Sequence, residues 1–199
     1  MSNADGILGV GGLTKHRLLV DFQHNHVSLA GTRHSLPDFL RVPAKRLDGG
    51  LFAVAARIGG LKVTAIIDTG SQRTLGNLAL RDALLTKRGH GPKPEMTTVY
   101  GATTDVSAGE MALAPPISLG NVTIDTVTVV YGDFHIFEVW NLATRPAMII
   151  GMDVLGTVRA LAIDFARSEL YFKGLENGPN VSHGMSMAPS PLDHLASAR

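Results

Sequence analysis

Asp68-Thr69-Gly70-Ser71 is the segment of this chain best suited to chemistry. Ala65-Ile66-Ile67 precede it, so a carboxylate stands at the end of an apolar strand, followed by a residue that turns and a glycine that lets backbone approach closely. Such an acid is fixed in place with backbone donors around it. An Asp in a turn is by itself most often a turn former. What sets Asp68 apart is its company: a hairpin with a small-residue tip at Gly101-Ala102-Thr103-Thr104, and Ile149-Ile150-Gly151 beyond that.

Other chemistries fall away. The chain has 199 residues and no Cys, which removes disulfides, Cys-ligated zinc and thiol nucleophiles. His24 and His26 put two imidazoles on one face of a possible strand, but no third ligand is evident nearby, so solvated histidines and no metal are expected. Gly9-Val10-Gly11-Gly12 lacks the strand–turn–helix setting of a nucleotide loop, and no Ser/His/Asp order is present. No cofactor is expected. With 18 Lys+Arg against 17 Asp+Glu there is no field to draw nucleic acid. No apolar run approaches the roughly 18 residues of a membrane span. Asn121-Val122-Thr123 and Asn180-Val181-Ser182 satisfy the glycosylation triplet, too common a pattern to indicate secretion.

The elements that must hold Asp68 are short strands. Aromatics make up 6% of the chain, and 22 Gly and 10 Pro separate Val/Ile/Thr runs, the composition of a mostly β protein. Residues 51–58 and 61–68 flank Gly59-Gly60, a two-residue hairpin signal. In the second run Leu61, Val63, Ala65 and Ile67 share one face. Residues 77–85 read as a helix with Asn77 as N-cap and Leu78, Leu80, Leu84 and Leu85 as its apolar face, stopped at Lys87-Arg88-Gly89. Residues 89–94 form a loop. Residues 96–100 and 106–113 are the arms of the second hairpin. Residues 117–119 and 122–131 pair around Gly120-Asn121, and 147–151 form a buried strand with a short helix at 153–156. Residues 159–165 and 170–172 close the domain, and 175–199 form a flexible tail.

An internal echo runs through the first residues. Ile7-Leu8-Gly9, Leu13, Arg17 and Leu19-Val20-Asp21-Phe22 repeat Ile149-Ile150-Gly151, Leu155, Arg159 and Ala162-Ile163-Asp164-Phe165 with a one-residue gap. Either two hairpins of like composition look alike, or the chain carries the end of one copy, a linker through Pro43 and Asp48-Gly49-Gly50, and a whole second copy. The expected division is 1–4 as an expression scar, 5–47 as an upstream remnant with linker, 48–174 as the domain and 175–199 as the tail. The scar directly ahead of Asp5 points to a segment cut away upstream, a targeting segment being one candidate; the compartment is not fixed by the residues, a bacterial periplasmic or secreted one being favoured over a cytoplasmic one.

Residues 51–172 resemble the retropepsin-like aspartic peptidases, and their bacterial members more than the viral ones. The resemblance is carried by Ile66-Ile67-Asp68-Thr69-Gly70-Ser71, the hairpin at Tyr100-Gly101, and Met148-Ile149-Ile150-Gly151-Met152-Asp153-Val154-Leu155. Residues 132–146, with Phe134, Phe137 and Trp140, match nothing distinctive and read as an insertion. The resemblance implies a closed acid-protease β-barrel with one or two short helices and an endopeptidase acting on polypeptide. Asp68 would be catalytic, with Thr69 interlocking two loops, Gly70 letting carboxylates lie coplanar and Ser71 donating to Asp68. Tyr100, Gly101, Ala102 and Thr103 would form a flap over substrate, Tyr100 serving equally well as a packing residue, and Ile149, Ile150 and Gly151 would brace the loop. Asp153 and Asp164 are expected as a helix cap and a turn or hairpin charge, not as catalysts.

One motif does not suffice. Amide hydrolysis without metal or covalent nucleophile needs one ionised and one protonated carboxyl, and two such groups share a proton. Hence a second copy is implied, in a homodimer or from an upstream homologous domain. The other class of reading is a silent domain of this fold that binds extended peptides or serves as a scaffold.

Overall fold

The computed structural model describes residues 9–33, 35–47, 49–88, 94–100 and 106–174. The expected scar, the flap tip at Gly101, Ala102 and Thr103, and the tail lie outside the described residues. The fold is mostly β, with three short α-helices among the described residues: α1 (Leu78–Arg88), α2 (His135–Val139) and α3 (Met152–Leu155). Among the described residues no helix is long and apolar enough to cross a membrane.

The large sheet centres on β5 (Phe52–Ile58) and β6 (Leu61–Ile67), an antiparallel hairpin in which Gly59 and Gly60, at φ 54° and 80°, supply the left-handed turn that matches strand twist. Its order continues from β6 to β13 (Ala147–Ile150), β7 (Leu75–Asn77), β12 (Thr128–Gly132), β9 (Val106–Leu113) and β8 (Glu95–Tyr100). On the other side of β5 lie β10 (Ile117–Leu119) and β11 (Val122–Ile124). In hydrogen-bonded order this sheet is an open path from β11 to β8. The run 122–131 is not one strand: it breaks at Thr126, at φ 58°, between β11 and β12.

A second sheet has the order β2-β1-β14-β15-β3, with β1 (His16–Asp21), β2 (His26–Gly31), β3 (Leu40–Pro43), β14 (Ala160–Asp164) and β15 (Glu169–Lys173). The stretch read as linker is therefore paired: β3 lies on β15, and β4 (Lys45–Arg46) lies on β5.

Alternate residues of β6 fill two cores. Val63, Ala65 and Ile67 join Ile58, Leu80, Met148, Ile150 and Leu161 in one, and Ile66 joins Leu75, Val130, Ala147 and Ile149 in the other. Phe134, Phe137 and Leu142 of the supposed insertion complete the second core. Asn77 caps α1 as expected, its Oδ1 accepting from Leu80 N–H at 2.9 Å, and its Nδ2 donates to the Leu142 and Arg145 carbonyls at 2.8 and 2.7 Å. Leu85 stands 53% exposed, outside the apolar face assigned to it.

Candidate active site

Asp68 follows β6 at the point where β13 runs parallel beside it, Ile149 opposite Ile66 and Ile150 opposite Ile67. The next strand in sequence, β7, lies on the far side of β13. Residues 68–74 must therefore arch over the end of β13, which places the acid at the mouth of a strand buried on both faces. Asp68 N–H donates to the Ile150 carbonyl at 3.1 Å, Ser71 N–H donates to the Asp68 carbonyl at 3.3 Å, and Gly70 N–H donates to Asp68 Oδ1 at 2.9 Å. Asp68 is half-buried while Thr69 and Gly70 are exposed. A Cβ at Gly70 would come within 3.2 Å of the carboxylate, so the glycine keeps that oxygen open to its donor.

Gly151 and α3 hold the arch from below. Met152 N–H donates to the Ser71 carbonyl at 2.8 Å and Asp153 N–H to the Gln72 carbonyl at 3.2 Å. A Cβ at Gly151 would lie 2.6 Å from the Arg73 carbonyl oxygen and 2.9 Å from that of Ser71, both backbone atoms that cannot swing away. The close approach needs glycine. Ile149 and Ile150 are buried in opposite cores, so the bracing assigned to them is exerted through strand pairing.

Two residues that sequence reading did not assign to the loop complete it. Thr74, fully buried, donates its hydroxyl to Asp153 Oδ1 at 2.7 Å and its N–H to Oδ2 at 2.9 Å, and its Oγ1 accepts from Gly151 N–H at 3.1 Å. Asp153 is thus a clamp on the loop, not the helix cap expected: Gly151 occupies the N-cap position and makes no side-chain cap bond. The signal was present as a carboxylate two residues past the Ile-Ile-Gly run, but its partner lies 79 residues away. Ser71 also differs from expectation. Its hydroxyl donates to the Arg73 carbonyl at 2.7 Å, stiffening the loop without touching the Asp68 carboxylate.

The proposed flap strand β8 pairs with β9 over its whole length, with Tyr100 opposite Val106 at the end nearest the tip. Tyr100 is 77% exposed and Val106, its cross-strand partner, 61%. Asp164 accepts from Arg167 N–H, as a turn charge would, but is also fully buried against Arg17, whose Nη2 and Nε donate to Oδ2 at 2.9 and 3.2 Å. His24 sits on the β1–β2 turn, bonded to Asp21 at 2.9 Å, and among the described residues no group of three or more His, Asp or Glu could hold a metal.

A family model described as aspartyl protease matches residues 54–154, which span β5 through α3 and include both the Asp68 arch and its brace. The chain belongs to the aspartyl protease family. Among solved structures it is similar to a retropepsin-like aspartic protease from Rickettsia conorii, at 17% identity and TM-score 0.45, over 67% of this chain and 89% of that one. No curated protein matches it.

Proposed function

We propose that the protein is an aspartic endopeptidase in which Asp68 supplies one carboxylate of a pair. The observation that carries this reading is the arch itself: an acid bonded through its own N–H to Ile150, with Gly70 N–H on its carboxylate and Thr74 clamped by Asp153 beneath. A second such arch, brought across a two-fold axis, would set two carboxyls side by side. They would hold one proton between them, one deprotonating the attacking water while the other polarises the scissile carbonyl and then protonates the leaving nitrogen. The exposed Thr69 and Gly70 are the residues that such a second loop would meet. The β8–β9 hairpin, with Tyr100 near its tip, would close over an extended peptide that pairs like an added strand.

The test is cleavage of an unfolded protein at mildly acid pH by the assembled form, with a bell-shaped pH profile and block by a statyl-type inhibitor. Asp68→Asn abolishes it; cleavage that persists in Asp68→Asn overturns the site. Binding of extended peptides with no cleavage at any pH in that form would assign the protein to the silent, peptide-binding class.

A further inference from the structure

The hairpin β1–β2 repeats β14–β15 in conformation as well as in sequence. Gly9 and Gly151, both extended, precede four-residue helical turns, Val10–Leu13 and Met152–Leu155, and each turn buries its last leucine. After the first strand of each pair the chain turns through residues 22–25 and 165–168, and the fourth residue of each turn is left-handed, Asn25 at φ 50° and Ser168 at φ 55°. Positive φ is uncommon outside glycine. Its recurrence at the same place favours duplication over mere likeness of composition.

The two hairpins also meet each other. β1 runs antiparallel to β14 with Leu19 opposite Ala162, and these two are themselves counterparts in the repeat, so a local two-fold axis passes between them. Backbone bonds obey it: Phe22 N–H donates to the Arg159 carbonyl at 3.0 Å, and Phe165 N–H to the His16 carbonyl at 3.2 Å. β1 therefore occupies the place on β14 that the closing strand of a two-fold-related catalytic unit would take.

Charge decides whose strand that is. Arg17 lies opposite Asp164, pairs with it in the interior and covers the Tyr171 ring at 5.1 Å. Were β14 of a second copy to replace β1 in the same register, Asp164 would face Ala160 on both sides of the axis. Two buried carboxylates would lose their guanidinium. In addition, β15 carries β3 on its outer edge, while among the described residues the outer edge of β2 carries nothing, leaving Val27 60% and Leu29 49% exposed. The repeat places a counterpart of β3 there.

We propose that β1–β2 is the closing hairpin of a second catalytic unit joined ahead of Gly9, and that the carboxylate opposite Asp68 comes from that unit, not from a second copy of this chain docked through β14. This rests on the paired-carboxylate reading above. Because the chain has no Cys, engineered disulfides report its pairings without background. The bond pattern makes Leu19 and Ala162 a non-hydrogen-bonded pair, whose Cα atoms lie about 4.5 Å apart, within disulfide range.

The expected results are a monomeric mass for the unaltered chain with no cleavage, an intrachain bond in Leu19→Cys/Ala162→Cys, and no cross-link in Ala162→Cys alone. A tandem polypeptide with residues 49–150 joined ahead of Gly9, in register with the repeat, should cleave as a monomer and lose activity by about 10²-fold or more when either copy of Asp68 becomes Asn. A dimeric mass, an interchain cross-link at Ala162→Cys, or a folded tandem without cleavage overturns the proposal. The mass of the unaltered chain decides between occupants of β14 even if a cysteine variant fails to fold. A cross-linked, active dimer sinks this inference alone; cleavage by the intrachain-locked monomer sinks the paired-carboxylate reading itself.

Discussion

Asp68 sits on a loop bonded to β13, to α3 and to itself, whereas Tyr100 sits on an edge hairpin whose outer strand has one neighbour among the described residues, β9. The loop's polar groups are satisfied within short reach: Thr74 alone makes three bonds with Asp153 and Gly151. The hairpin presents Met96, Tyr100 and Val106 to solvent, each more than half exposed. The contrast fits the two tasks proposed for them. An acid that is to meet a twin within hydrogen-bond range would gain from a fixed frame, while a strand that is to admit and then cover a peptide would gain from low local stability. Each half of this division can be broken separately.

The largest effect is at the acid. On the proposed function, Asp68→Asn in the assembled form would remove the general acid/base and is expected to lower kcat by at least about 10²–10⁴-fold. The thermal midpoint should hardly move, because the carboxylate is half-buried and its replacement keeps the acceptor for Gly70 N–H. A large fall in stability instead would show that Asp68 serves the frame.

Next come the frame residues. Gly151→Ala drives a methyl into the Arg73 and Ser71 carbonyls and should destabilise by about 1–3 kcal/mol through overpacking. Activity should fall with stability, since the arch must lift. Thr74→Val keeps the volume but leaves Gly151 N–H and the Asp153 carboxylate short of partners, at a cost of about 1–3 kcal/mol, with Thr74→Ser restoring much of it. Urea unfolding at neutral pH measures both. If either variant unfolds at the wild-type midpoint, the rigid half of the comparison fails.

The β8–β9 hairpin should behave in the opposite way. Tyr100→Ala removes an exposed side chain and should leave stability within about 0.5 kcal/mol, while raising KM or lowering kcat for long peptides more than for short ones. Equal kinetics on both substrate lengths would separate the hairpin from substrate.

How far the sequence reveals this division depends on how local the interactions are. The β5–β6 hairpin, the Asn77 cap and the Ile149-Ile150-Gly151 strand are legible because their causes lie within a few residues: paired left-handed glycines, an Asn ahead of an apolar repeat, an apolar run. The clamp from Asp153 to Thr74 and the pair of Asp164 with Arg17 span 79 and 147 residues, and nothing local distinguishes these acids from turn charges. Strands β3 and β4, four and two residues long, carry too little period to be told from linker. The break between β11 and β12 rests on Thr126 adopting a backbone conformation that its residue type does not announce.

The smallest effect separates acid inactivation of the site from acid loosening of the scaffold. On the β1–β2 turn the bond from the His24 ring holds the Asp21 carboxyl below its ordinary value of 3.8. A carboxyl lowered in the folded state stabilises it fully above the unfolded value, and the contribution is lost as pH falls through the lower, folded one. The difference in thermal midpoint between wild type and Asp21→Asn should therefore be lost only as pH falls from about the ordinary carboxyl value of 3.8 through the lower, folded one. Peptidase activity that rises and falls at mildly acid pH would lie above this window and belong to the carboxylate pair. If the Asp21→Asn difference already shrinks at mildly acid pH, the scaffold titrates with the site, and the fixed frame around Asp68 is not independent of pH.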